Sequence, residues 1–162
     1  MESIDRQKAA RVWARVHAPA QPVPREELAG LILAETEDAA TLERLARSRS
    51  GKQADICQQL AARIRSHAAC LRGICIASAG TSPELPKPNS PQEPAAPALR
   101  RCCGRQMSCL RELEARASHP EYGPIYAQLA LQTRAICQEL LTQLGNLPPQ
   151  MPSPSPAKHR HP

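Results

Sequence analysis

Glu35 and His67 are the side chains in this chain whose type and setting most invite chemistry. Glu35 interrupts an apolar stripe of Leu28, Ile32, Ala39, Leu42 and Ala46; His67 interrupts one of Ile56, Leu60, Ile64, Leu71 and Ile74. Two further stripes are interrupted at a comparable level. Gln106 lies in Leu99, Cys103, Leu110, Leu113 and Ala117, and Thr133 lies in Tyr126, Leu129, Ile136, Leu140 and Leu144. A carboxylate inside a core needs a partner, because an unpaired buried charge is strongly unfavourable. An imidazole on the next helix can serve by hydrogen bonding across the core, or by sharing a metal ion with it. Seven cysteines add a second chemistry: Cys57, Cys70, Cys75, Cys102, Cys103, Cys109 and Cys137. Cys102 and Cys109 are spaced to share a helical face, and Cys70 follows His67 by three residues. Thiolates lining a bundle hold soft ions such as copper(I) or zinc; thiols that hold nothing pack as small hydrophobes. No nucleophile and base are placed together by the sequence.

The elements that must position these groups are written in the prolines. The chain has 162 residues and 17 prolines, and a proline costs about 3 kcal/mol inside a helix. The prolines cluster at 19–24, 83–97, 120–124 and from 148 onward, which leaves proline-free windows for helices. Gly51 divides the first window, with Ser50 and Gln53 in capping-box spacing. Four helices are expected, at about 25–48, 51–78, 98–117 and 121–145, the last opened by Ser118 and Glu121 as a cap pair. Each carries an apolar stripe at spacings of three and four, as bundle packing requires. With only three aromatic residues, Trp13, Tyr122 and Tyr126, the composition favours helices over sheets. The domain reading is a short helix and proline-rich lead-in over 1–24, a four-helix bundle over 25–147, and a disordered Pro/Ser/basic tail over 148–162. The proline-rich connection at 79–97 is long enough to run the length of a bundle in an extended conformation. Two antiparallel hairpins joined by one long crossover would result.

Several function classes fall away. No run of about 18 apolar residues is present, so no membrane span is expected. The charged start Met-Glu-Ser-Ile-Asp-Arg lacks the apolar core of a secretion signal, which points to the cytoplasm and reduced thiols. The net charge of +6 is spread along the helices, and stacking aromatics are nearly absent, so nucleic acid is not an expected partner. His159 and His161 read as part of a solvated basic tail.

The Glu35 segment, the His67 segment, Arg100-Arg-Cys-Cys-Gly-Arg-Gln-Met and the stretch from His119 to Ala130 together resemble the ferritin-like, rubrerythrin-type di-iron family. The resemblance covers about residues 25–147 and implies an all-α, ferritin-like four-helix bundle with one long crossover between the second and third helices. That family sets one Glu on each of two helices and a Glu-x-x-His on each of the other two. Glu35 and His67 match the metal-ligand positions that remain. Ile64 stands where the first motif has Glu, Gln106 where the third helix has Glu, and Thr133 and Ile136 where the second motif falls. Bridging carboxylates are needed to offset two divalent charges, and these departures remove them. The resemblance therefore implies a degenerate, non-catalytic bundle without a cofactor, serving a structural role, a protein partner or self-association. An iron-binding protein or rubrerythrin-type oxidoreductase/peroxidase with an altered site is the alternative, and a copper- or zinc-binding protein using the cysteines is a second.

Overall fold

The computed structural model describes residues 25–147; the expected helix near 3–17 and the tail from 148 lie outside the described residues. Four helices make up the described chain, and no strand occurs among these residues: α1 (Arg25–Arg47), α2 (Gly51–Ala79), α3 (Ala95–Ala115) and α4 (Gly123–Gly145). The all-α expectation holds.

The helix ends differ from expectation where local chemistry intervenes. Ser50 occupies the position before α2, but its side chain makes no capping bond, and Gly51 turns the chain at φ +60°. At the other end Gly80 adopts φ +75°, and its N–H reaches the Ile76 carbonyl at 2.8 Å, closing α2 with a left-handed cap. α3 begins at Ala95, before the expected 98, because Pro97 falls in the first turn, where its missing N–H costs nothing. α4 begins at Gly123 with Pro124 in its first turn. Its approach is organised by His119, whose Nδ1 accepts the backbone N–H of Glu121 at 3.2 Å and of Tyr122 at 3.1 Å. The expected Ser118–Glu121 cap is replaced by this imidazole turn.

α1 packs against α2 and α3, and α4 packs against α3 and α2, giving a four-cornered bundle. Neighbours run antiparallel. Glu35 on α1 meets Gln106 on α3 whereas Thr41 meets Arg101, and Gln132 on α4 meets His67 on α2. The connection from 80 to 94 lies along α1. Leu85 packs on the apolar cluster that contains the end of α2, the Asn89 N–H donates to Glu37 at 3.0 Å, and Arg44 donates to the Glu93 carbonyl at 3.3 Å.

The core is divided. One apolar cluster gathers Ile32, Leu71, Leu113, Tyr126 and Leu129; a second gathers Leu42, Leu60, Leu99, Ile136 and Leu140. Between them, on all four helices, come buried polar side chains: Glu35 and Asp38, His67, Gln106, and Thr133.

The α3–α4 turn depends on close backbone approach. A Cβ added at Gly123 would meet the Ala117 carbonyl oxygen at 2.4 Å, a backbone atom that cannot swing aside. Gly123→Ala is therefore expected to destabilise the protein by about 2–4 kcal/mol, read as a lower urea midpoint. An unchanged midpoint would show that the turn is free to shift.

Candidate functional site

The polar layer begins with spacing on α1. Glu35 and Asp38 are three residues apart, so one helical face presents both carboxylates to α3, and both residues are fully buried. The facing helix brings Arg105 and Gln106 in succession, flanked one turn away on either side by Cys102 and Cys109. The Gln106 amide nitrogen donates to Glu35 Oε2 at 3.2 Å and to Asp38 Oδ2 at 3.1 Å, so a single NH₂ group bridges two carboxylates. Arg105 approaches from the bundle edge. Its Nε donates to Asp38 Oδ1 at 2.8 Å, and its Nη1 donates to Glu37 Oε2. Glu37 in turn receives the Asn89 N–H of the connection, which ties the layer to the surface.

Burial pushes the Glu35 carboxyl up to about 8, with the Gln106 bond opposing the shift, the Asp38 charge adding to it, and the Cys109 thiol opposing it. Asp38 is also raised by burial, but here the Arg105 charge pulls the other way, aided by bonds from Gln106 and Cys102. The two carboxyls are thereby separated in role: Glu35 holds a proton at neutral pH, and Asp38 is the one matched with a cation. The thiols are inert by the same physics. Burial pushes the Cys102 and Cys109 thiols far up, and the neighbouring carboxylates push them further.

The Glu35–His67 hydrogen bond, one of the two pairings the sequence leaves open, does not form. His67 is turned towards α4, where its Nε2 lies 3.0 Å from Gln132 Oε1. Burial lowers its pKa, the Gln132 bond raises it, and the Arg63 charge lowers it. Matched height between two residues does not fix their rotation about each helix axis, and here the two point to different neighbours. Thr133 belongs to the layer, but its hydroxyl has no protein partner; the same is true of Glu35 Oε1 and Gln106 Oε1. Asp38 and Arg105 are the residues sequence reasoning missed. The signal was present in the spacing Glu35, Asp38, Thr41, Leu45, a second inward track, with Arg101 and Arg105 one turn apart opposite it.

As a metal-holding arrangement, Glu35 Oε2 and both oxygens of Asp38 are already taken by Gln106 and Arg105. Among the described residues no group of three or more His, Cys, Asp or Glu side chains is gathered as a metal site. Nor is any helix there long and apolar enough to cross a membrane. The seven cysteines are all free, and Cys70 alone is half-buried rather than buried. No protein-family model, curated protein or solved structure matches the chain.

A carboxyl raised from 4.5 to about 8 by folding makes the unfolded chain the stronger acid, so stability falls as pH rises from about 4.5 to about 8 and levels above it. Glu35→Gln removes that slope. Its stability relative to the parent should climb by about 3–5 kcal/mol across the window, measured as urea midpoints at a series of pH values; a constant difference would place no proton on Glu35. For the ion pair, Arg105→Leu leaves Asp38 buried without its cation and should cost about 2–4 kcal/mol. Adding Asp38→Leu to that variant should restore most of the loss, and a simple sum of two losses would contradict the coupling.

Proposed function

We propose that this chain is a ferritin-like, rubrerythrin-type bundle in which side chains have taken over the place of a metal centre, leaving a non-catalytic protein. One observation carries the reading. The Gln106 amide nitrogen lies between oxygens of Glu35 and Asp38, at 3.2 and 3.1 Å, on the helix pair where a cation bridging two carboxylates would sit. An NH₂ group supplies partial positive charge there at no cost of metal acquisition, and Arg105 supplies the full charge to Asp38. The apolar residues above and below follow the same logic. Ile64 and Ile136, both fully buried, add packing where a carboxylate and an imidazole would otherwise need a partner.

In this reading the connection at 80–94 is the ferritin-type crossover, its extended course fixed by the contacts of Leu85, Asn89 and Glu93 with the rest of the bundle. The role left to such a protein is structural, through a protein partner or self-association, in the cytoplasm. The outward apolar side chains Leu131, Leu141 and Ile76 give it surface with which to associate.

Metal analysis of the protein purified from iron-replete cells tests the reading: iron should be far below one per chain, and about two per chain, as in di-iron bundles, would contradict it. A sharper test restores the carboxylate. Gln106→Glu adds a third buried acid and removes the bridging donor, so the variant should lose about 2–4 kcal/mol and recover part of it on adding manganese(II), read as melting temperature with and without the ion. The parent should be indifferent to manganese. A variant as stable as its parent without metal would show that Gln106 does not bridge the two carboxylates.

A further inference from the structure

On the opposite side of the bundle α2 and α4 enclose a groove of about 420 Å³, lined by Ser66, His67, Cys70, Ile125, Gln128 and Gln132 among others. Two of its side chains have soft-metal chemistry. Cys70 is the one cysteine of the seven that is half-buried rather than buried. His67 is 3% exposed, and the details of its ring decide what it can do. Its Nε2 faces Gln132 Oε1 at 3.0 Å. The acceptor is a carbonyl oxygen, so Nε2 carries the hydrogen and donates it. The neutral ring then has its lone pair on Nδ1, and that nitrogen is buried with no partner. A histidine whose one N–H is tied to an oxygen and whose other nitrogen is bare is in the state of a metal ligand.

We propose that this groove is a copper(I) site with His67 Nδ1 and Cys70 Sγ as its two ligands. Residues three apart on a helix have Cβ atoms about 5–6 Å from one another. Bonds of about 2.0 Å to nitrogen and 2.3 Å to sulfur, taking zinc lengths as a guide, set the two donor atoms about 4 Å apart, which side chains at that spacing can span. Binding releases the Cys70 proton to solvent and forms one S–Cu and one N–Cu bond, with no change of oxidation state. The thiolate cancels the single positive charge, so nothing charged is added next to Arg63, whose field His67 already feels. Zinc(II) fits less well: it takes four ligands in tetrahedral array and would carry a net charge into the groove. A soft d¹⁰ ion content with sulfur and imidazole matches what is present. This site does not depend on the reading of the Glu35–Gln106 layer, which lies on the α1–α3 side.

The test uses the full chain, reduced and kept anaerobic, titrated with copper(I) in competition with bicinchoninate. One equivalent should bind, and His67→Gln and Cys70→Ser should each weaken it at least tenfold while keeping the parent's helical circular dichroism. Either variant binding copper(I) as the parent does would overturn the proposal. Labelling of the unmutated chain with N-ethylmaleimide, mapped by mass spectrometry, gives an answer that does not depend on a variant folding. One equivalent of copper(I) should protect Cys70 ahead of the other six thiols; Cys70 labelled at its metal-free rate would overturn the assignment.

Discussion

Two carboxyl groups fully out of water at the centre of a four-helix bundle set the terms for everything around them. Each would cost several kcal/mol if ionised and unpaired, so the neighbouring helix has to bring hydrogen-bond donors and positive charge to that level and nowhere else. α3 does so with consecutive residues, Gln106 pointing inward to both acids and Arg105 reaching Asp38 from the edge. The arrangement fixes the register of α3 against α1, since a slip of one turn would move both donors away. It also fixes the position of the connection, because Glu37 takes Arg105 on one oxygen and the Asn89 N–H on the other. A polar layer of this kind costs stability relative to an all-apolar core, and what it gives in return is a single alignment of helices.

Its place between two apolar clusters explains how such a core remains sound with so few aromatic rings. Leu, Ile and Ala fill both halves, and among the described residues Tyr126 is the one aromatic ring with no exposure, set at the α3–α4 end of the bundle. There the turn is shaped by His119, which accepts the backbone N–H groups of Glu121 and Tyr122 just before α4 and lies edge-on to Tyr126 with ring centres 6.3 Å apart. Local polarity and ring packing thus share one residue.

The sequence showed the level of the polar layer plainly, since Glu35, His67, Gln106 and Thr133 each break an apolar stripe near mid-helix. Asp38 escaped notice because it follows Glu37 directly, and two adjacent acids look like solvated surface unless a second inward track at spacing three is considered. Arg105 was hidden in the same way, as one more cation in a basic segment. The direction in which His67 points was not legible at all. A stripe gives the face of a helix, but a bundle helix has two neighbours, and the residue at the edge of the stripe can turn to either. His67 turned to α4 and Gln132. The start of α3 lies three residues before the expected 98, because a proline in the first turn is compatible with the helix that carries it.

The Gln106 side-chain amide stands between Glu35 and Asp38 and donates to one oxygen of each. Nuclear magnetic resonance observes that amide directly. Its two side-chain protons should be resolved, exchange with solvent orders of magnitude more slowly than those of the exposed Gln58, and keep their shifts when divalent metal or chelator is added. Gln106 protons exchanging as fast as those of an exposed glutamine, or shifting on addition of metal, would contradict that arrangement.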